Sequence, residues 1–345
     1  MSEITEQRAG AVGRPAGGPL GGRWRGIGHG ARIFARQREA TVFVVAAALF
    51  GYFALTSSSF TTQANLVVLS QDIAPIIIIA IGEVLLLISG EIDLSVGFIY
   101  AFAPFVMYYM ISDGVPVLPA ILIALLLGLA AGWLNGFLTV TLGLPSFITT
   151  LGTGFLLDGF MLTTSHAEPV IPPASAAGAG KWLGSDSWSM IIWAVVLLAI
   201  FHVVLTRTRW GLHTVATGGN LLGAREAGIS VAKIKYGNFM ITGLLGAFVG
   251  LQVAFQTSDI DPLAGGYQPM FYAVTAAVIG GTAMLGGSGT MIGALLGSIV
   301  LGVLTDGFTA IGISANPLPI IFGGAILVAM IANVQLSRLR ESGRM

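Results

Sequence analysis

Cysteine is missing from all 345 residues. This excludes disulfides, thiolate metal sites and cysteine nucleophiles, and leaves the redox compartment undecided. Charge is scarce as well. Asp, Glu, Lys and Arg together make up 9% of the chain, against about 25% in a soluble domain. From residue 39 to residue 180 there is no Lys or Arg at all. No G-x-x-x-x-G-K-[ST] phosphate loop occurs, since Gly180-Lys181 is followed by Trp182. Gly286-Gly-Ser-Gly289 follows no strand pattern and joins two apolar runs. The four histidines (29, 166, 202, 213) lack metal-ligand spacing. The sequence therefore offers no catalytic residue, no metal site and no cofactor held by this chain. Energy for any active process must come from an ion gradient or from an ATPase on another chain.

What is abundant is apolar sequence, at 55% of residues with a mean hydropathy of +0.87. Crossing ~30 Å of hydrocarbon takes roughly 20 apolar residues per helix. The class is an all-α polytopic membrane protein with a single transmembrane domain over residues 39–337. Residues 1–38 hold seven arginines and nine glycines with few large apolar side chains. That composition cannot bury enough surface to fold, so the segment reads as a disordered basic tail. A second short tail covers 338–345. The run Ala40–Leu55 is read as an uncleaved first span rather than a signal peptide.

Basic residues fall in three clusters: the tail, residues 207–235, and Arg338, Arg340 and Arg344, with Lys181 outside them. The positive-inside rule puts all three in the cytoplasm. Six apolar runs separate the first two clusters: 40–59, 66–89, 92–112, 117–136, 140–164 and 188–206. Four more precede the third: 237–257, 269–285, 289–313 and 317–335. About ten transmembrane helices are expected, with both termini cytoplasmic, and eight or nine if one run is re-entrant. Loops 165–187 and 257–268 then face outward. Small residues four apart (Gly128, Gly132, Gly136; Gly246, Gly250; Gly293, Gly297) predict close helix packing. Pro75, Pro104 and Pro145 predict kinks or helix breaks. A weak echo joins Gly154-Phe-Leu-Leu-Asp-Gly-Phe160 to Gly302-Val-Leu-Thr-Asp-Gly-Phe308.

One break stands out. Residues Gly90 to Gly97 read Gly-Glu-Ile-Asp-Leu-Ser-Val-Gly between apolar runs. Carboxylates at such a depth belong against protein interior or a water-filled path, and non-helical backbone is tolerated there on the same condition. Asp93 and Ser95 are read either as caps of a helix start or as lining of a path. Asn135, Ser146 and Thr149 are read as interhelical hydrogen-bonders or path residues, and Phe147 as lipid-facing or a gate. Glu83 adds a further acid beside the break. In the second basic cluster, Asn220 is an expected N-cap and Gly228 an expected C′ residue of a two-turn helix over Leu221–Ala227. Leu222, Arg225, Glu226 and Ile229 fall roughly on one side of it. Such a helix suits docking into a partner's groove, or is a solvated connector.

Four blocks together resemble the permease subunits of sugar-importing ABC transporters of the ribose/xylose/galactose branch. They are Ile92-Asp-Leu-Ser-Val-Gly97; Asn135-Gly136 with Leu144-Pro-Ser-Phe-Ile-Thr-Thr-Leu-Gly152; Gly218-Gly-Asn220 with Ala227-Gly-Ile229; and Ile279-Gly-Gly-Thr-Ala-Met-Leu-Gly-Gly-Ser-Gly-Thr290. They stand in family order and cover most of residues 66–335. The resemblance implies an ATP-driven importer of the bacterial cytoplasmic membrane. Its implied partners are a cytoplasmic ATPase, an extracytoplasmic sugar-binding protein and a second permease, with lipid around them and no nucleic acid. It places the substrate path at Glu91, Asp93, Ser95, Asn135, Ser146, Phe147 and Thr149. It places ATPase coupling at Gly219, Asn220, Leu222, Arg225, Glu226, Gly228 and Ile229, within a cytoplasmic loop over 207–236. Glu91 departs from the glycine common at that point, which leaves the sugar open. Permeases for nucleosides or branched-chain amino acids are the near alternatives. An ion-coupled secondary transporter using Glu83, Glu91, Asp93 or Asp158 is the alternative of another class.

Overall fold

The computed structural model describes residues 38–312, with positions 317, 319–321, 323, 324, 327 and 331. The two predicted tails, and most of the run 317–335, lie outside the described residues. Within them the secondary structure is helical, apart from one isolated antiparallel bridge between Val170 and Ile260. The helices are α1 (Arg38–Thr56), α2 (Gln63–Ile88), α3 (Val96–Ser112), α4 (Val117–Gly136), α5 (Ser146–Ser165), α6 (Ser189–Arg207), α7 (Arg209–Gly219), α8 (Leu221–Glu226), α9 (Val231–Thr257), α10 (Tyr267–Ile279) and α11 (Met291–Ala310). A π-helical turn, Phe137–Thr141, extends α4, and three short turns fill 174–185.

Among the described residues seven helices are long and apolar enough to cross a membrane: α1, α2, α4 with its π turn, α5, α6, α9 and α11. Two of the expected runs come out short. The run 92–112 begins its helix only at Val96, and the run 269–285 becomes α10 with 13 residues. At 1.5 Å per residue α10 is about 20 Å long, roughly two thirds of a bilayer core. Pro145 stands at the N-cap of α5, while Pro75 and Pro104 lie inside α2 and α3 without breaking them.

Helix α2 is apolar all round from Ile73 to Ile88 except at Glu83, and sixteen of its 26 residues are buried. An all-round apolar helix belongs in the middle of a bundle, and α2 sits there beside α9. The expected small-residue stripes are packing surfaces. A side chain at Gly128 or Gly132 would meet Gly243 and Phe239 of α9, and one at Gly250 would meet the Tyr100 carbonyl of α3.

Two stretches repeat one plan in opposite directions. Each runs as a long helix, a break, a short helix and a 20-residue helix: α2, α3, α4 and then α9, α10, α11. Their breaks carry matching triplets, Glu91-Ile-Asp93 and Asp259-Ile-Asp261. In each break an aspartate Oδ1 accepts the backbone N–H two residues on, at 2.8 Å: Ser95 N–H in one and Leu263 N–H in the other. The breaks meet where Gly266 N–H donates to the Gly97 carbonyl at 3.2 Å. Gly266 has φ +87°, and a Cβ on Gly97 would collide with the Gly266 carbonyl oxygen. Neighbouring Val96 packs on Gly246, near the middle of α9, so the junction lies deep in the bundle. In this plan α11 matches α4, not α5, so the echo between 154–160 and 302–308 does not join equivalent helices.

Candidate functional site: the break at residues 90–97 and the capped helix beneath it

Helix α2 stops for a local reason. Gly90 takes φ +81°, Gly90 N–H donates to Leu87 O at 3.0 Å and Glu91 N–H donates to Leu86 O at 2.9 Å. This is the Schellman closure that glycine favours. The leftover Ile88 carbonyl accepts from Gly287 N–H at 2.8 Å, so the glycine-rich loop 280–290 closes the end of α2.

Beyond the turn the polar residues converge. Asp93 Oδ1 accepts from Ser95 N–H (2.8 Å) and Ser95 Oγ (2.6 Å). Asn135 Nδ2, from α4, donates to Asp93 Oδ2 at 3.2 Å and to Ser95 Oγ at 2.8 Å. Leu94 N–H donates to Thr150 Oγ1 at 3.0 Å, and Thr150 Oγ1 donates to the Ser146 carbonyl at 2.8 Å. The start of α3 is thereby tied to α4 and α5. Asp93, Ser95 and Asn135 are all fully buried. Ser95 occupies the N-cap position of α3 without a side-chain cap bond; Asp93 supplies the acceptor instead. Glu83, one turn back on α2, is also fully buried beside Asp93, with no hydrogen bond of ordinary geometry at either oxygen.

The other predicted path residues lie apart. Glu91 pairs with Lys235 of α9. Phe147 is exposed at the start of α5 and Ser146 half-buried, while Thr149 is buried with an unpartnered hydroxyl. Thr150, rather than Thr149, makes the interhelical bond. Sequence held the motif but not its phase, because adjacent helical residues differ by about 100° in direction.

The basic cluster lies at the same end of the bundle as Glu91. Asn220 Oδ1 accepts from Gly223 N–H at 2.9 Å and caps α8. At the other end Gly228 (φ +77°) donates to Arg225 O, and Ile229 N–H to Ala224 O, both at 3.0 Å. Both expected caps are present, and Ala224 is the residue that α8 buries. Leu222, Arg225 and Glu226 are exposed, and Ile229 is half-buried. Gly218 leaves no room for a side chain against the Ile88 carbonyl, and Gly219 lies beside Gly287. The end of α7, which leads directly into the exposed α8, is thus in backbone contact with the end of α2, next to the break. Loops 165–187 and 258–266, joined by the Val170–Ile260 bridge, occupy the opposite end.

Among the described residues no group of three or more His, Asp or Glu is placed to hold a metal ion. The buried polar groups tie the start of α3 to α4 and α5. The chain is similar to several known permeases. The xylose/arabinose import permease protein XylH of Sulfolobus acidocaldarius is 34% identical over 313 residues, covering 88% of this chain and 86% of the relative. The ribose import permease protein RbsC of Escherichia coli K12 is 31% identical over 316 residues, covering 88% and 97%. The autoinducer 2 import system permease protein LsrC of Photorhabdus luminescens is 30% identical over 309 residues, covering 88% and 92%. No solved structure matches the chain. Residues 65–331, which include the break, its buried polar partners and the capped helix, match one family model, and the chain belongs to that family, the permease component of branched-chain amino acid transport systems.

Proposed function

We propose that this chain is the membrane-spanning subunit of an ABC importer for a monosaccharide or related polyol. ATP is hydrolysed on a separate cytoplasmic subunit, and the sugar is delivered by an extracytoplasmic binding protein. The family description names branched-chain amino acids, but relatives matching most of this chain are named for ribose, xylose/arabinose and autoinducer 2. The shared four-block sequence pattern favours the sugar branch. Ten crossings with both termini in the cytoplasm agree with the three basic clusters, and two permeases side by side enclose the path.

The observation that carries the reading is the exposed, doubly capped α8, joined through Asn220 to the end of α7, whose Gly218 and Gly219 lie against Ile88 and Gly287 at the end of α2. A two-turn helix fixed at both ends presents Leu222, Arg225 and Glu226 as a rigid face. Movement of a docked ATPase then reaches the Gly90–Gly97 break through Gly218 and Ile88. Truncating one partner of a buried interfacial charge pair costs roughly 2–5 kcal/mol, against under ~1 for an exposed pair. Reversing both charges, Arg225→Glu with Glu226→Arg, should leave membrane insertion intact and weaken ATPase association at least tenfold, with uptake falling in step. Sugar binding by the external receptor should not change. Normal ATPase association and uptake in the double variant would remove these charges from the docking face. Uptake driven by a proton gradient without ATP would remove the importer reading itself.

A further inference from the structure

Away from the buried polar cluster, a cavity of about 340 Å³ lies between α2, α9, α10 and α11. Small-molecule sites occupy about 300–1,000 Å³ and combine apolar walls with a few placed polar groups. Its apolar wall includes Pro75, Ile76, Ile79, Val253 and Pro269. Its polar lining is unusual for a helix bundle in lipid, with Asp72, Gln71, Gln256, Gln268, Tyr100 and Tyr272 in one space. Intramembrane polar groups are costly and mark substrate paths.

The amides are held in place by their neighbours. Gln256 Nε2 donates to Gln71 Oε1 at 3.2 Å, which leaves the Gln71 NH2 and the Gln256 carbonyl as a donor and an acceptor. An exchange of oxygen and nitrogen in both amides swaps these roles without changing the set. Gln268 Nε2 donates to Tyr272 Oη at 2.9 Å, which leaves the Gln268 carbonyl as a further acceptor. Asp72 contributes the carboxylate. It has no cationic partner among the described residues, where the ion pair is Lys235–Glu91 at the other end of the bundle. Tyr100, Val253 and Thr257 also wall a second cavity of about 210 Å³, which reaches Asp259 and Asp261 of the second break. Tyr100, Val253 and Thr257 thus separate this cavity from one beside the second break.

The chemistry selects among ligand classes. An anion would face Asp72, with Asp306 near it and no Lys or Arg in the lining. A bare cation would need acceptors alone, whereas the amides also present N–H donors. A polyhydroxylated ring matches both sets, because each hydroxyl donates and accepts. A carboxylate can take two adjacent hydroxyls, one on each oxygen. Tyr100, Tyr272, Pro75 and Pro269 add apolar ring surface to the lining for its C–H side.

We propose that this cavity within the single permease is a binding site for a neutral monosaccharide, lined by Asp72 with the Gln71–Gln256 and Gln268–Tyr272 pairs. The proposal rests on the sugar-importer reading and adds a station inside one permease subunit to a path between two.

The absence of cysteine provides the test. Thr305 lines the cavity, and Thr305→Cys in the full-length chain supplies a single thiol for a small methanethiosulfonate reagent. The variant is placed in vesicles with its ATPase and binding protein. Uptake of D-ribose, D-xylose, L-arabinose and D-galactose is measured first, and labelling is then followed in the permease alone with the transported sugar. Saturable protection of the introduced thiol by that sugar is expected, with the protecting concentration raised at least tenfold by Asp72→Asn. Tyr272→Phe, which keeps the ring, should raise it severalfold. A transported sugar that gives no protection, or protects equally in Asp72→Asn, overturns the cavity site and leaves the importer reading standing. Protection by an amine such as putrescine but by no sugar overturns the ligand class. Uptake of leucine with uptake of none of the sugars overturns the sugar reading, and the cavity assignment falls with it.

Discussion

Replacing Asp93 with alanine removes an acceptor on which Ser95 N–H, Ser95 Oγ and Asn135 Nδ2 converge. All three residues are fully buried, so water cannot replace what is lost. An unsatisfied buried donor costs about 1–3 kcal/mol. Ser95 Oγ can turn toward Asn135 Oδ1, which has no partner, and this spares one of the three. The remaining two donors set the expected loss for Asp93→Ala at about 2–6 kcal/mol. Asp93→Asn behaves differently. Its oxygen still accepts from Ser95, but the new amide faces the Asn135 amide. Turning Asn135 over would take its Nδ2 away from Ser95 Oγ, so a buried donor goes unmatched either way. The expected loss is about 1–3 kcal/mol, that of one unmatched buried donor. Asp93→Ser is too short to reach across to α4 and should fall between the two. Unfolding of the purified full-length protein in mixed micelles reads these differences directly, and uptake in vesicles should follow the same order. Serine as good as asparagine would mean that the bond to Asn135 contributes nothing. Alanine as stable as wild type would refute the whole account of the break.

The junction of the two breaks predicts that Gly97→Ala destabilises by about 1–3 kcal/mol or more, because backbone must move to clear the Gly266 carbonyl; wild-type stability would show that the helices are not in contact there. The Glu91–Lys235 pair is largely buried, with side chains 11% and 16% exposed. Lys235→Met alone should therefore cost more than the ~1 kcal/mol of a surface pair and approach the ~3–5 of a buried one, and adding Glu91→Gln should recover much of it. Additive losses in that double-mutant cycle would show that the two do not interact. Cysteines introduced at Ser175 and Ser230, both exposed at opposite ends of the bundle, should label from opposite sides of the membrane; labelling from one side would overturn the orientation.

Much of this protein was legible in the chain alone, where the information is local. Apolar runs mark helices because a backbone in lipid has to satisfy its own hydrogen bonds. Asn220 and Gly228 mark the ends of α8, since a cap depends on residues three or four positions away. Charge scarcity and the four motif blocks carried the family. Tertiary structure decided what depends on distant contacts and helical phase. It chose Thr150 over Thr149 as the partner of Leu94, and it joined Asp93 to Asn135 across 42 residues. It brought Lys235 to Glu91 across 144. It also shortened one expected span to α10, because the chain after Asp261 returns into the bundle until Gly266 meets Gly97. Composition cannot report such a turn: residues that re-enter a protein interior and residues that cross lipid are apolar for the same reason, and only their neighbours tell them apart.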